Sequence, residues 1–502
     1  MTDWRWKFNI AEIISPENGH VKLPMSRLEG ARVLWINPRA PSEDPVYGAL
    51  GDHATYERHL LEKCAFTITD PDVGTADAFG IADCYGGAGI GSNGGSGRAV
   101  YINGYHVKGV GRTPLVGIDA DVSHASGGAY LEECVRETIF SEIVHLEFPH
   151  GSIPTLAIID TGREVIWETD HGPKRERMCL LVRPMFLRPA HIERAVRYKS
   201  GNEYGGATDA ARARATALAI ERQAGGAASM NDLLSTCLVR WAQQIAHSYV
   251  SRLSHGGVTS SNVSIDGRLA DFGAMTSVPT FGRYWVSSAV HPTGLQYKDI
   301  LITVAGIASS MAFILGDVAR AQEWRAGVYP LVAESYFRQV HEGVLDVAGL
   351  SDSELKDLRG CEVYAKICQA VHAMMIEELS HQYTMFGGVP NNPETSINVS
   401  RLVELLTWAR SVCKAPGGGG TVAGGDDVVT SSNELATSVI AAALAPRAGL
   451  EREAIKKICY DRLDGRGLSG DDLCVATAAL IQEVVSSESR VRQPAKSGSC
   501  RS

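Results

Sequence analysis

The pattern of apolar residues in this chain changes at about residue 207. Before that point, strand-like runs occur at 100–109, 155–160 and 178–186, and one segment, Tyr130–Phe148, has the apolar spacing of an amphipathic helix. After it, long helical segments follow one another. A strand-containing part followed by a helix-rich part predicts an α+β fold with a small mixed β lobe and a larger, mainly helical lobe.

A glycine-rich segment marks a further boundary. KAPGGGGTVAGGDD, at 414–427, is too rich in glycine for the interior of a helix or strand and predicts a linker. The final residues, RVRQPAKSGSCRS, predict a flexible tail. The predicted organisation is a lead-in at 1–84, an N-lobe at 85–190, a helical C-lobe with the metal-binding loop at 191–413, the linker at 414–427, and a C-terminal helical segment with its tail at 428–502.

Composition excludes several classes of protein. Of the 502 residues 44% are hydrophobic and 21% are charged, which is ordinary for a soluble globular chain. A net charge of −9 argues against a nucleic-acid partner bound through a basic face. The eleven cysteines form no CxxC pair, which favours reduced thiols, and no run reaches the roughly 18 apolar residues needed to span a bilayer. We therefore expect a cytoplasmic protein without a membrane partner.

The stretch YGGAGIGSNGGSGRA, at 85–99, is the first candidate for a functional loop. Residues without a Cβ allow backbone N–H groups to point at an anion. The sequence pattern Gly89-x-Gly91-x-x-Gly94 matches that of a dinucleotide-binding motif, but such a motif must follow a strand and begin a helix. Here a strand is predicted to follow. The stretch is therefore either a phosphate cradle or a plain surface loop.

A lysine and a glutamate follow this loop. Lys108 ends the next strand-like run, and Glu137 lies in the helical segment after it. Protein kinases use such a pair, in which a strand lysine contacts phosphate and a helix glutamate orients it. Taken alone, the two residues could equally be surface charges.

The stretch HGGVTSSNVSIDGRLADFGAM, at 255–275, supplies candidate metal ligands. Asn262 and Asp271 stand nine residues apart around a short predicted turn. Amide and carboxylate oxygens are ligands that Mg²⁺ accepts together with water and phosphate oxygens. A kinase carries an Asp that acts as the catalytic base shortly before this Asn. Here Ser260 and Ser261 occupy that approach.

Two arginines lie where the small lobe should meet the helical one. Arg183 and Arg188 belong to LLVRPMFLRPAHIE. Two guanidinium groups at that point could neutralise a triphosphate, although helix-end or surface arginines would look the same. The loop, the lysine, the helix glutamate, the Asn and the Asp-Phe-Gly occur in the order that a nucleotide cleft requires. This order predicts a protein-kinase-like bilobal fold.

The set of motifs resembles the selenoprotein O (SelO, YdiU-type) family, pseudokinase-fold proteins that transfer AMP from ATP to protein hydroxyls. YGGAGIGSNGGSGRA is similar to the family's YGGHQFG…LGDGR, HVKGVGRTP to its LKGxGxTP, and VRETIFSEIVH to its IRExLxSEAMH. LLVRPMFLR resembles its two-arginine segment, HGGVTSSNVS its HGVMNTDNMS, and ADFGAM its DYGPF. The resemblance runs in order from about 20 to 280 and is weak in the C-terminal third.

The resemblance implies that ATP and Mg²⁺, or Mn²⁺ in its place, are the cofactors. It also implies that ATP binds inverted relative to a kinase, with the α-phosphorus facing the acceptor. By resemblance, the ATP contacts are Gly94, Gly95, Gly97, Arg98, Lys108, Arg183 and Arg188, the metal ligands are Asn262 and Asp271, and the catalytic positions are Lys108, Glu137 and Ser261.

The chain departs from the family pattern at several positions. The family's presumed base, the Asp before the metal-binding Asn, is Ser261 here, and its Gly-His-Gln-Phe-Gly has become Gly-Ala-Gly-Ile-Gly. Its DGRAVLR segment is not recognisable. Cys500-Arg-Ser resembles the family's terminal Cys- or Sec-Ser-Ser, but HPTGLQY stands where the family often has Cys-Asn-His. A redox switch is therefore not expected.

The missing Asp leaves three functions open. General-base help contributes about 10²–10⁴-fold, so AMP transfer (AMPylation) to a protein hydroxyl would need Asp266 or a water in its place. A carboxylate acceptor, with a pKa near 4, is already ionised and needs no base. The chain would then activate a peptide or acid for a partner enzyme, as in microcin-type maturation. The third function is that of a non-catalytic ATP-binding scaffold.

Overall fold

The computed structural model describes residues 8–70, 75–120, 125–169, 172–286, 290–350, 352–377, 383–384, 397–414 and 437–490. Residues 415–427 of the predicted linker, the predicted tail after 490 and Cys500 lie outside these ranges.

The strands are β1 (Lys22–Arg27), β2 (Arg32–Ile36), β3 (Phe66–Ile68), β4 (Ala78–Cys84), β5 (Gly95–Ile102), β6 (Tyr105–Lys108), β7 (Ala129–Tyr130), β8 (Ala157–Thr169), β9 (Gly172–Pro184), β10 (Leu253–Ser254), β11 (Thr276–Ser277), β12 (Tyr284–Trp285) and β13 (Tyr383–Thr384).

The helices are α1 (Ile10–Ile13), α2 (Ala40–Glu43), α3 (Pro45–Leu50), α4 (His53–Cys64), α5 (Leu131–Glu147), α6 (Ala207–Ala224), α7 (Ala227–Val250), α8 (Tyr297–Leu315), α9 (Val318–Val347), α10 (Asp352–Leu358), α11 (Glu362–Ile376), α12 (Ile397–Lys414), α13 (437–443), α14 (Arg452–Arg462) and α15 (Gly470–Glu488).

The fold is α+β, as the sequence predicts. In the described part of the chain, nine strands form one curled sheet in the order β2-β8-β9-β6-β5-β4-β1-β3, with β7 paired to β9, and the pairings are antiparallel. One buried apolar cluster lies between the sheet and α4, and a larger one joins α5 to the helices after residue 207. Strands β1 to β4 come from the predicted lead-in at 1–84 and belong to the same sheet.

The prediction of one strand at 100–109 is wrong, because this segment is a hairpin. Strands β5 and β6 are joined by Asn103 and Gly104, both with positive φ, at 50° and 91°. An Asn-Gly pair is the usual choice for a two-residue turn of this kind, since both positions need a left-handed backbone. The hairpin places Lys108 of β6 beside Leu181 of β9. Arg183 lies two residues after Leu181 on β9.

The predicted helix at Tyr130–Phe148 is confirmed as α5. Its predicted apolar stripe, which includes Val135, Ile139 and Ile143, is fully buried. Acidic residues in the first turn suit the positive end of a helix dipole. Because α5 packs on β9, its Glu133 and Glu137, one turn apart, lie on the face next to the strand lysine.

The C-terminal helices pack back onto the first half of the molecule. Helices α14 and α15 contact α5, and α15 also contacts β2. The buried guanidinium of Arg447 lies 2.8 Å from the carboxylate of Glu147 at the end of α5. This part of the chain, where the sequence resemblance is weak, therefore supports the helix that carries the candidate site.

One helix in the described part, α8, is long and apolar enough to span a membrane by length and composition. Its mean hydropathy is 1.7, and 44% of the apolar window is buried inside the protein. Asp299 in its first turn is buried and accepts a 2.8 Å hydrogen bond from His291. Core helices of soluble proteins also meet these criteria of length and apolar composition.

Candidate functional site

Lys108 lies at the centre of the candidate site. Its ammonium contacts Glu137, lies 2.9 Å from Glu133 and 3.5 Å from Asp271. Burial and the charge of Arg98 lower the pKa of Lys108, but the three carboxylates raise it above its ordinary value, so the side chain is an ammonium at neutral pH. The structure thus brings together the predicted strand lysine, the predicted helix glutamate and the predicted metal ligand.

Glu133 is a member of the site that the sequence patterns did not identify. Its two oxygens accept hydrogen bonds from Arg98 at 2.6 and 2.9 Å, and one of them also accepts from Lys108. Burial would raise the pKa of Glu133, but the charges of Arg98 and Lys108 hold it well below its usual range. This carboxylate therefore binds two of the cations that were predicted to contact nucleotide.

The two predicted arginines have different partners. Arg183 donates to Glu137, and so belongs to the same ion network as Lys108. Arg188 is 3.0 Å from Asp83 of β4 and donates to the backbone carbonyl of Ser261. Both guanidinium groups are buried, which excludes the alternative that they are surface arginines.

Asp83 is a second carboxylate that the sequence patterns did not identify. It accepts hydrogen bonds from Arg188, from His106 at 3.0 Å and from His191 at 2.9 Å. Burial would raise the pKa of Asp83, but Arg188 and the two histidines hold it well below its usual range. Asp83 therefore fixes Arg188 against the loop that carries Ser261.

A backbone hydrogen bond closes the segment that joins the two predicted metal ligands. The backbone N–H of Ala270 donates to the carbonyl of Asn262 at 2.9 Å, which joins the two ends of the 262–271 segment. Asp271 has a φ of 59° and a side chain that is 40% exposed. A left-handed aspartate is uncommon, and such residues often mark functional sites.

Cationic side chains on and next to the sheet change the pKa of Asp271. Burial would raise its pKa, but the surrounding cations hold it well below its usual range. In decreasing order of effect, these cations are Lys108, Arg183, Arg98 and Arg188. Asp271 is therefore an ionised carboxylate with open coordination space.

These two oxygen donors suit Mg²⁺ better than they suit a metal ion that is coordinated by protein side chains alone. In the described residues, no group of three or more His, Cys, Asp or Glu side chains is arranged to hold a metal ion. Mg²⁺ is usually held by one or two protein carboxylates, with waters and substrate phosphates completing six ligands. Asp271, with the amide oxygen of Asn262, suits that mode.

Ser261 occupies the position of the missing Asp. Its hydroxyl is 2.9 Å from the hydroxyl of Thr259 and 3.3 Å from the amide oxygen of Asn262. Asp266, proposed as a replacement base, accepts hydrogen bonds from the side chain of Arg268 at 2.9 Å and from its backbone N–H at 3.2 Å. The carboxylate of Asp266 is thus engaged within its own turn.

Glu193 is a third carboxyl group that the sequence patterns did not identify. It is buried, and a Cβ added to Gly87 would lie 3.0 Å from its Oε1 and 2.6 Å from the hydroxyl of Ser260. Oε1 has no hydrogen-bond partner in the part of the chain that the structure describes. Burial raises the pKa of Glu193 to about 7, against a lowering effect of Ser260. A carboxyl group that titrates near neutral pH can give or take a proton.

We predict that replacing Glu193 by glutamine stabilises the protein at pH 8 more than at pH 5. The folded state holds this proton up to about pH 7, whereas the unfolded chain loses it near 4.5, so the free energy of unfolding falls as the pH rises through this window. The fall is on the order of 3 kcal/mol for one such group. Urea unfolding of both proteins from pH 4.5 to 8 measures it, and a constant difference between them would contradict the raised pKa.

The glycines of the predicted loop have packing roles. A Cβ on Gly94 would lie 2.7 Å from the ring of Tyr198, and one on Gly95, where φ is 147°, 2.3 Å from the carbonyl of Asp83. Gly95 and Gly97 lie inside β5 rather than in a loop. Their contact with phosphate stays a prediction.

Known proteins match the part of the chain that forms this site. The family model for protein adenylyltransferase SelO matches residues 86–297, from the glycine-rich stretch past the predicted metal-binding loop. This part of the chain, less than half of its 502 residues, is therefore similar to the SelO family. A protein from Azoarcus sp. (strain BH72), named protein nucleotidyltransferase YdiU, is 26% identical over 326 residues, 56% of each chain.

A second relative with the same name, from Aromatoleum aromaticum (strain DSM 19018 / LMG 30748 / EbN1), is 28% identical over 246 residues, 43% of this chain and 44% of the relative. The chain thus spans about half the length of the curated relatives it matches. Glu133, Asp83 and Glu193 are the residues that the structure adds to the predicted site.

Proposed function

We propose that this protein is a Mg²⁺- and ATP-dependent nucleotidyltransferase that transfers AMP to a protein or peptide acceptor. The observation that carries the proposal is the convergence of cations from β5, β6, β9 and the segment after β9 around Asp271. A triphosphate needs such cations, and a metal ion needs an ionised carboxylate next to them. The matched SelO region and the names of the two relatives support the same reaction type.

In the proposed reaction the sheet and the helices after residue 207 act as the two lobes of a kinase-like cleft. Lys108, oriented by Glu137 and Glu133, binds phosphate oxygens, and Arg183 and Arg188 bind the phosphates farther from the acceptor. Mg²⁺ held by Asp271 and Asn262 would neutralise charge on the triphosphate. The acceptor oxygen attacks the α-phosphorus, the bond to the β-phosphate oxygen breaks, and pyrophosphate leaves.

The acceptor decides whether a base is needed. A hydroxyl must lose its proton during attack, and the Asp that would take it is Ser261. Asp266 is paired with Arg268, so a hydroxyl acceptor depends on water or on Glu193 for proton removal. A carboxylate arrives ionised. Ser261 therefore favours, as a second candidate function, adenylylation of a carboxylate to activate an acid or peptide for coupling.

Product identification tests the proposal. Incubation of the full chain with Mg²⁺ and ATP should release pyrophosphate and no ADP. AMP that stays on a protein serine, threonine or tyrosine indicates a hydroxyl acceptor. Pyrophosphate release that depends on an added acid, with a hydroxamate formed in the presence of hydroxylamine, indicates a carboxylate acceptor. Accumulation of ADP would contradict both candidate functions. Thermal stabilisation by ATP without any product would instead support a non-catalytic ATP-binding scaffold.

A further inference from the structure

A cavity of about 470 Å³ lies outside the candidate ATP site. It is bounded by the segment after β11, by α12 and by residues 441–446, and no member of the ATP site lines it. Most of its wall is apolar, with contributions from Phe281, Val403, Leu444 and Pro446. Its volume is in the range of small-molecule sites, about 300–1,000 Å³.

One buried cation, Arg252, lines this cavity. The residue is 6% exposed, its Nη1 donates to the carbonyl of Leu444 at 3.0 Å, and its guanidinium lies 4.7 Å from the ring centre of Phe281. Among the described residues, Nε and Nη2 have no hydrogen-bond partner. These two nitrogens form one edge of the planar guanidinium, the edge that binds a carboxylate through two parallel hydrogen bonds.

Arg252 lacks a buried counter-charge in the described part of the chain. Burial lowers its pKa to about 10, and the charge of Arg490 adds to this effect. Unpaired buried charges are costly, and buried donors are normally bonded, so an arginine with a free fork in an apolar cavity indicates a missing anion.

We propose that this cavity binds a small organic acid in which one carboxylate is attached to an apolar body. The carboxylate would accept hydrogen bonds from Nε and Nη2 of Arg252, and the apolar body would lie against Phe281, Val403 and Leu444. A doubly charged phosphate is disfavoured, because the exposed Glu404 also lines the cavity. The proposal does not depend on the proposed AMP transfer.

The position of Arg252 links this site to the metal-binding loop. Its φ is 55°, and its carbonyl accepts the backbone N–H of Val278 at 2.9 Å. The next residues form β10, which pairs with β11, and these two short strands close the base of the 255–275 loop. A ligand that fills the free edge of Arg252 would therefore stabilise the base of this loop.

Binding by the full chain tests the site, with decanoate as the probe and decanol as its uncharged partner. Calorimetry should detect decanoate binding, no comparable binding of decanol, and a higher melting temperature with decanoate. A peptide ending in apolar residues with a free C-terminus, compared with its amide, distinguishes a chain terminus from a free acid as the source of the carboxylate. Preference for either acid over its uncharged partner supports the site.

Two variants locate the binding. Arg252→Lys keeps the charge but removes the fork, and should weaken decanoate binding tenfold or more. Ala441→Trp fills the cavity from an otherwise exposed position and should abolish binding without a change in the core. Arg401→Lys, an exposed position on α12, is the matched control and should bind normally. Absence of carboxylate binding, equal binding of decanol, or binding that survives both cavity variants would overturn the proposal.

Discussion

Replacement of Asp271 by asparagine is expected to lower AMP transfer by about 10³-fold or more. The metal ion supplies several kcal/mol of charge stabilisation in such reactions, and each 1.4 kcal/mol corresponds to a factor of about ten in rate. Asparagine also tolerates the left-handed backbone that Asp271 adopts at a φ of 59°, so the variant should remain folded. The rate of pyrophosphate release at saturating Mg²⁺ and ATP measures the effect.

Asp266→Asn is the matched control for this prediction. It makes the same chemical change in the same loop, at a carboxylate that is paired with Arg268 rather than directed at the sheet cations. We expect its rate of pyrophosphate release to stay within about tenfold of the original, as for a residue outside the transition-state contacts. The metal assignment would be wrong if Asp271→Asn retained normal activity while melting cooperatively.

The predictable part of the site consists of residues in short motifs. Lys108, Glu137, Asn262 and Asp271 stand at spacings that a nucleotide cleft requires, and the structure places Lys108 against both Glu137 and Asp271. The order of the motifs was sufficient to predict this grouping. The strand carries Lys108, the helix carries Glu137 and the loop carries Asp271.

The carboxylates that complete the site were not predictable. Glu133, Asp83 and Glu193 belong to no motif among the patterns considered, and their roles come from neighbours distant in sequence. Asp83 meets Arg188 across 105 residues, and Glu193 approaches Gly87 and Ser260 only in the folded chain. Burial of such groups depends on packing of the whole domain, which local sequence does not encode.

The predicted α+β class is confirmed, whereas the kinase-like bilobal arrangement stays a prediction. The alternation over 100–109 favours one strand, but the Asn103-Gly104 pair in its middle favours a hairpin, and the turn decides the local structure. The contact of Arg447 with Glu147 at the end of α5 could not be predicted from local patterns, since it joins residues 300 positions apart.

Replacement of Ser261 by aspartate is expected to raise AMP transfer to a hydroxyl acceptor by about 10²–10⁴-fold, the usual contribution of a general base. The new carboxylate would stand beside Asn262, where the hydroxyl of Ser261 now lies 2.9 Å from the hydroxyl of Thr259 and 3.3 Å from the amide oxygen of Asn262. Mass spectrometry of AMP on serine, threonine and tyrosine side chains, followed over time, measures the change.

The response of the two acceptor classes to this substitution separates the two candidate functions. A carboxylate acceptor has no proton to lose, so Ser261→Asp should not accelerate its adenylylation, and the added negative charge should slow the approach of an anion. Ser261→Asn is the control, because it places a side chain of the same shape beside Asn262 without a carboxylate that can take a proton. If hydroxyl transfer is fast in the unaltered protein and unchanged in Ser261→Asp, another group already removes the proton, and Glu193 is then the first residue to replace.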